Sequence, residues 1–137
     1  MPGPITCADL ARQLPRLHEQ HAALDEALPE LPRHSPRWRA ERAAYDACDR
    51  RLAAVEALVL ETPAVTLADA AAQLVMVLHK LNCARHFQNG GAGLDLAEPA
   101  LLSALAVVAQ AAGVSPDEFA LGEYTALKTP PPVLLAA

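Results

Sequence analysis

The chain has 137 residues, 53% of them apolar but only 4% aromatic, and its 11 basic against 16 acidic side chains give a formal charge of −5. That length is most economically one domain, large enough to bury a core without metal or disulfide staples. The acidic balance argues against a nucleic-acid binder, because phosphate contacts need positive potential.

With so few aromatic residues the core must be built from Leu, Val and Ala, which suits closely packed helices. β-Branched residues are scattered and never alternate over a useful length, so the expected class is all-α. The three cysteines (Cys7, Cys48 and Cys83) are odd in number and far apart in sequence. Met-Pro-Gly-Pro at the start lacks the charged and apolar regions of a secretory signal. No apolar run approaches the ~20 residues of a membrane helix. The expected setting is cytoplasmic, with reduced thiols and no membrane.

In chain order, Leu10, Leu14, Leu17, His21, Leu24, Leu28 and Leu31 follow a four-three alternation that draws a narrow apolar stripe on one helix. Thr6 with Asp9 three residues on is a variant capping box. Pro15 interrupts the pattern, since it removes a hydrogen bond and clashes with the carbonyl of Ala11 at ~3 kcal/mol. A helix starting at Pro15 would span only ~21 Å against ~37 Å for the next one, leaving part of the longer stripe bare. A kinked first helix over about 7–28 is therefore expected.

Pro29, Pro32 and Ser35-Pro36 then make a turn, with Ser35 as N-cap and Pro36 as first helical residue. The second helix, about 36–61, carries Trp38, Tyr45, Cys48, Leu52, Val55 and Val59, with Glu41 in the one skipped place and Thr62 closing the series. A link of this length joins antiparallel neighbours, so residues 7–28 and 36–61 form an antiparallel helical hairpin. Thr66, with Asp69 three on, caps a third helix over about 66–88. Leu67, Ala71, Leu74, Leu78 and Leu81 share one side of it, widened by Val75 and Val77. Asn89, Gly90, Gly91 and Gly93 end it.

Asp95 with Glu98 opens a fourth helix, about 96–113, which carries Leu101, Leu102, Leu105, Val108 and Ala112 and stops at Gly113. Ser115-Pro116-Asp117-Glu118 combines cap, N1 proline and capping-box Glu, and starts a fifth helix over about 116–127. Residues 1–127 read as a single all-helical domain and 128–137 as a Pro-rich apolar tail.

The stretch Thr62-Pro63-Ala64-Val65-Thr66-Leu67 and the Ala-rich helix after it resemble a turn found in small bacterial helical-hairpin proteins of unknown function. Asp69, Ala70 and Gln73 stand where that pattern has Gly, Leu and Lys. The resemblance implies a fold and no activity.

Few residues suggest chemistry. His79, Cys83 and His86 lie at i, i+4 and i+7 on one helix face, and imidazole and thiolate are good ligands for zinc or iron. Three ligands on one straight helix do not easily converge on a tetrahedral ion, and a fourth would have to come from Cys48 or His21. His21 interrupts a leucine stripe, where a polar side chain fixes register if it finds a partner such as Tyr45 or Cys48. Arg33, Arg37, Arg39 and Arg42 around Trp38 could grip an acidic partner. Glu41, Asp46 and Asp49 at helix spacing make a solvated face the stronger reading. Residues 109–119 have the outline of a helix-turn-helix, but the acidic start of the second helix would repel phosphate.

Gly90-Gly91 lacks the lysine of a phosphate loop, His18-Glu19-Gln20-His21 misses the zinc-protease spacing, and no Ser or Cys has a nucleophile setting. The sequence thus reads as a non-enzymatic helical interaction module without a cofactor. It would self-associate, or bind a helical partner, through Leu10, Leu14, Leu17, His21, Leu24, Trp38, Tyr45, Leu52 and Val55. A metal-binding helical protein using His79, Cys83 and His86 is the alternative, and a DNA-binding regulator ranks below it.

Overall fold

The computed structural model describes residues 3–87 and 92–125. Its α-helices are α1 (Cys7–Ala11), α2 (Leu14–Ala27), α3 (Pro36–Glu61), α4 (Leu67–Phe87), α5 (Ala92–Ala112) and α6 (Leu121–Thr125), with 3-10 turns at Leu28–Glu30 and Pro116–Phe119. There is no strand among the described residues, and the class is all-α.

The helix expected over 7–28 is kinked just before Pro15 into two segments, α1 and α2, with Arg12 and Gln13 between them still in the right-handed helical region. The Thr6 hydroxyl accepts from the amide of Asp9 at 3.1 Å, and the Asp9 carboxylate accepts from the amide of Thr6 at 3.2 Å, which starts α1 with a full capping box. Five residues on, the chain tightens, with the Gln13 amide donating to the Leu10 carbonyl at 3.1 Å. Pro15 has no N–H with which to continue α1. Instead it occupies the first turn of α2, where no donor is required. The helical stretch then ends in a 3-10 turn at Leu28–Glu30.

Ser35 and Pro36 start α3 as expected, the Ser35 hydroxyl accepting from the Trp38 amide at 3.1 Å. The pairing of α2 with α3 is antiparallel. Cys48 donates to the Leu17 carbonyl at 3.4 Å and the His21 ring lies 4.4 Å from that of Tyr45, so partners run in opposite directions along the two helices.

Helix α4 is the centre of the molecule and packs against α1, α3, α5 and α6. Ala71, Ala72, Val75, Met76 and Leu78 are fully buried. The apolar face is therefore rotated from the expected one: Leu67 and Val77 are exposed, while Ala72 and Met76 turn inward. Small side chains at 71 and 72 let α1 lie close, and α1 fills the space with Cys7, Ala8 and Ala11. Leu14, Leu17, Leu52, Val55 and Val59 complete this side of the core, each aliphatic group contributing ~1.5–3 kcal/mol by leaving water. Four of the residues expected to form an intermolecular seam (Leu14, Leu17, Leu52 and Val55) are thus committed to the chain's own interior, and Leu10 packs against it.

Asp69 ties these parts together. Its buried carboxylate accepts from the amides of Ala8 at 2.8 Å, Val65 at 3.0 Å and Thr66 at 3.1 Å, joining α1, the α3–α4 turn and the start of α4. The Thr66 hydroxyl caps α4 by accepting from the Asp69 amide at 3.1 Å. Gln73 reaches back to the carbonyls of Thr62 (2.7 Å) and Val59 (3.2 Å), satisfying acceptors that the end of α3 leaves open. These bonds explain why Asp69 and Gln73 stand in the first turns of α4, from which they hold the turn at Pro63–Leu67 and the end of α3.

Helix α5 begins at Ala92, ahead of the expected start, so Asp95 lies inside its first turn instead of capping it. It ends at Gly113 (φ 69°), where the Val114 amide donates to the Ala109 carbonyl at 3.1 Å. Ser115 and Glu118 form the expected capping box. The single helix expected over 116–127 is instead a 3-10 turn, Ala120 in the left-handed region (φ 67°), and the short α6. The tail assigned to 128–137 lies outside the described residues.

Candidate functional site

Of the proposed metal ligands, His79 and Cys83 are one turn apart on α4, with the Cys83 sulfur 3.8 Å from the imidazole nitrogens. The side chain of His86 lies outside the described residues. Among the described residues no group of three His, Cys, Asp or Glu side chains is placed to hold an ion.

The structure brings to His79 a set of partners that helix spacing did not indicate. Its Nε2 lies 3.5 Å from the Glu56 carboxylate of α3, and the same carboxylate oxygen accepts from the Tyr124 hydroxyl of α6 at 2.7 Å. The Tyr124 ring packs on His79 (centroids 4.1 Å apart) and edge-on against His18 of α2 (5.0 Å). The buried Asn82 donates to the Tyr124 carbonyl at 3.3 Å. Four helices therefore meet around one tyrosine.

Cys83, His79 and Glu56 have the outline of nucleophile, base and orienting acid, yet the sulfur contact is long and none of the three lines a cleft of the α2–α3 hairpin. The arrangement is best suited to holding α6 in place.

Burial, opposed by Glu56, holds the pKa of both His18 and His79 below the ordinary 6.5. Each is therefore more basic in the unfolded chain than in the folded one. Stability is full above pH 6.5, where both states are neutral, and falls as acid first protonates the unfolded chain. The urea midpoint is expected to drop between pH 6.5 and 5, and the double variant His18→Gln/His79→Gln to flatten that slope. A midpoint unchanged over this interval in the parent would refute the linkage.

The remaining seam residues sit at the outer part of the hairpin. His21 is half-buried with its ring against that of Tyr45, a ring contact rather than the expected hydrogen bond. Cys48 is engaged with the Leu17 carbonyl, and the polar group near the His21 Nε2 is the Asp49 carboxylate at 3.4 Å. Trp38 is half-buried beside His34, and Arg42 pairs with Asp46 at 3.4 Å and lies over the Tyr45 ring. On the other side of the hairpin α2 and α3 leave an open, mostly apolar trough of about 530 Å³. It is lined by Leu17, Gln20, Ala23, Leu24, Ala44, Ala47, Cys48 and Arg51. It runs into a second cleft of about 710 Å³ at the α1–α2 break, lined by Arg12, Gln13, Arg16, Leu17, Gln20 and Arg51.

No protein-family model, curated protein or solved structure matches the chain. Its function has to be read from these surfaces. Among the described residues no helix is long and apolar enough to cross a membrane.

Proposed function

We propose that the protein is a helical protein–protein interaction module that self-associates through the open side of the α2–α3 hairpin. The supporting observation is the apolar trough. Ala23, Ala44 and Ala47 are exposed along its walls, Leu24 is half-buried, and Cys48 is buried at its floor. The same side of α3 continues at three-four spacing through exposed Ala54 to Leu58, which is 46% exposed. Small side chains let a second helix approach closely, and an aliphatic row beside them supplies what would fill the gap. A second copy of the chain carries both features, and a two-fold pairing uses each twice.

Sedimentation velocity over a wide concentration range tests this. The parent mass is expected to climb toward that of a dimer, and Ala47→Glu, with unchanged circular dichroism, to stay monomeric because it places a charge in the trough. A parent that remains monomeric throughout would sink the proposal.

A further inference from the structure

The cleft at the α1–α2 break is a different kind of surface from the trough beside it. Three of its six lining residues are arginines and two are glutamines, and Leu17, almost fully buried, forms its apolar floor. No carboxylate lines it, in a chain where acidic residues outnumber basic ones by 16 to 11.

The arginines come from three places: Arg12 from the break, Arg16 from the first turns of α2, and Arg51 from the middle of α3. Arg12 is held by Asp9 at 3.2 Å and lies over the Phe119 ring, its guanidinium carbon 5.7 Å from the centroid. Arg16 and Arg51 have no carboxylate within 4.0 Å among the described residues. Arg12 already has its counter-ion in Asp9, which leaves the guanidinium groups of Arg16 and Arg51 lining one concavity without an anionic side chain between them. Guanidinium forks match the oxygens of carboxylate and phosphate in pairs, and the amides of Gln13 and Gln20 add neutral donors. The volume suits a small organic molecule better than a lone halide.

We propose that this cleft binds a small ligand carrying two or more oxyanion groups, carboxylate or phosphate, with Arg16 and Arg51 as its main contacts. The cleft shares Leu17, Gln20 and Arg51 with the trough, whereas Arg12, Gln13 and Arg16 line the cleft alone, so Arg16→Gln tests the ligand site without altering the self-association surface.

The probes are sodium citrate and sodium pyrophosphate, titrated separately into the full chain by calorimetry at low ionic strength, where screening is weak. Saturable one-to-one binding of at least one probe is expected, and the stronger of the two distinguishes a carboxylate from a phosphate ligand. Arg16→Gln and Arg51→Gln should each weaken it by about tenfold or more. Arg42→Gln, which removes an arginine already paired with Asp46, should leave it unchanged. In case a variant misfolds, the side-chain Nε–H resonances of Arg16 and Arg51 in the parent should shift on titration while that of Arg42 does not. Absence of saturation with both probes, equal weakening by Arg42→Gln, or no shift at Arg16 and Arg51 would each overturn the proposal.

Discussion

Asp69→Ala should lower the unfolding free energy by about 4 kcal/mol, a large share of what a domain of this size possesses. The substitution strips the acceptor from three amide groups at once, those of Ala8, Val65 and Thr66. The Ala8 amide is buried, and left without a partner it costs more than its bond contributed, while the part-buried amides of Val65 and Thr66 lose a charged acceptor and turn to water. Asp69→Asn keeps an acceptor oxygen and should lose roughly half as much. Urea denaturation of the three proteins measures the series, and an Ala variant within about 1 kcal/mol of the parent would show that α1 is not held by this residue.

The same carboxylate predicts behaviour in acid. Burial pushes its pKa up, but the hydrogen bonds from Ala8, Val65 and Thr66 outweigh that and leave it below the ordinary 3.8. A depressed carboxyl stabilises the fold above its unfolded value, so this contribution is intact above pH 3.8 and is lost as pH falls through the folded value. It lies in a separate pH range from the histidine effect.

Tyr124→Ala is the second large loss, also about 4 kcal/mol, because a fully buried ring vanishes from the junction of α2, α3, α4 and α6. Tyr124→Phe separates the ring from its hydroxyl. It deprives Glu56 of the 2.7 Å donor and should cost ~1–2 kcal/mol. The tyrosine's own ionisation does not intervene, since burial first and the Glu56 contact second raise its pKa well above the usual range. Hydrogen exchange gives the local readout: protection in α6 should collapse in the Ala variant while the α2–α3 pairing keeps its own. Uniform loss across both regions would mean that α6 is no separate dock but part of one indivisible unit.

Much of the fold could be read from the residues because its signals are local. Ser35-Pro36, Ser115 with Glu118, and Gly113 act within a turn of their own positions, and each does in the structure what its chemistry implies. Pro15 was legible as either a kink or a fresh start, and the choice between them depends on α1 having its own dock against Val59 and Asp69. Asp95 looked like a cap only because Glu98 follows at capping-box spacing, a pattern that also fits the interior of a helix that starts earlier.

The clusters that could carry function were largely hidden for the opposite reason. Glu56, His79 and Tyr124 are separated by 68 residues end to end, and no periodicity links them. Arg16 and Arg51 were single letters on two different helices until the hairpin brought them to one cleft.

The way α1 is held also bears on the order in which the molecule can assemble during synthesis. Its bonds reach Val59 and Asp69, 52 and 61 positions downstream, so α1 leaves the ribosome long before either partner exists. Five residues cannot sustain a helix alone in water. The segment must therefore wait as open chain while α2 and α3 pair above it, and closes only once α4 has emerged. Until then Val59, near the end of α3, lacks the cover that α1 and α4 will give it and stays wet, a transient apolar window in the nascent protein.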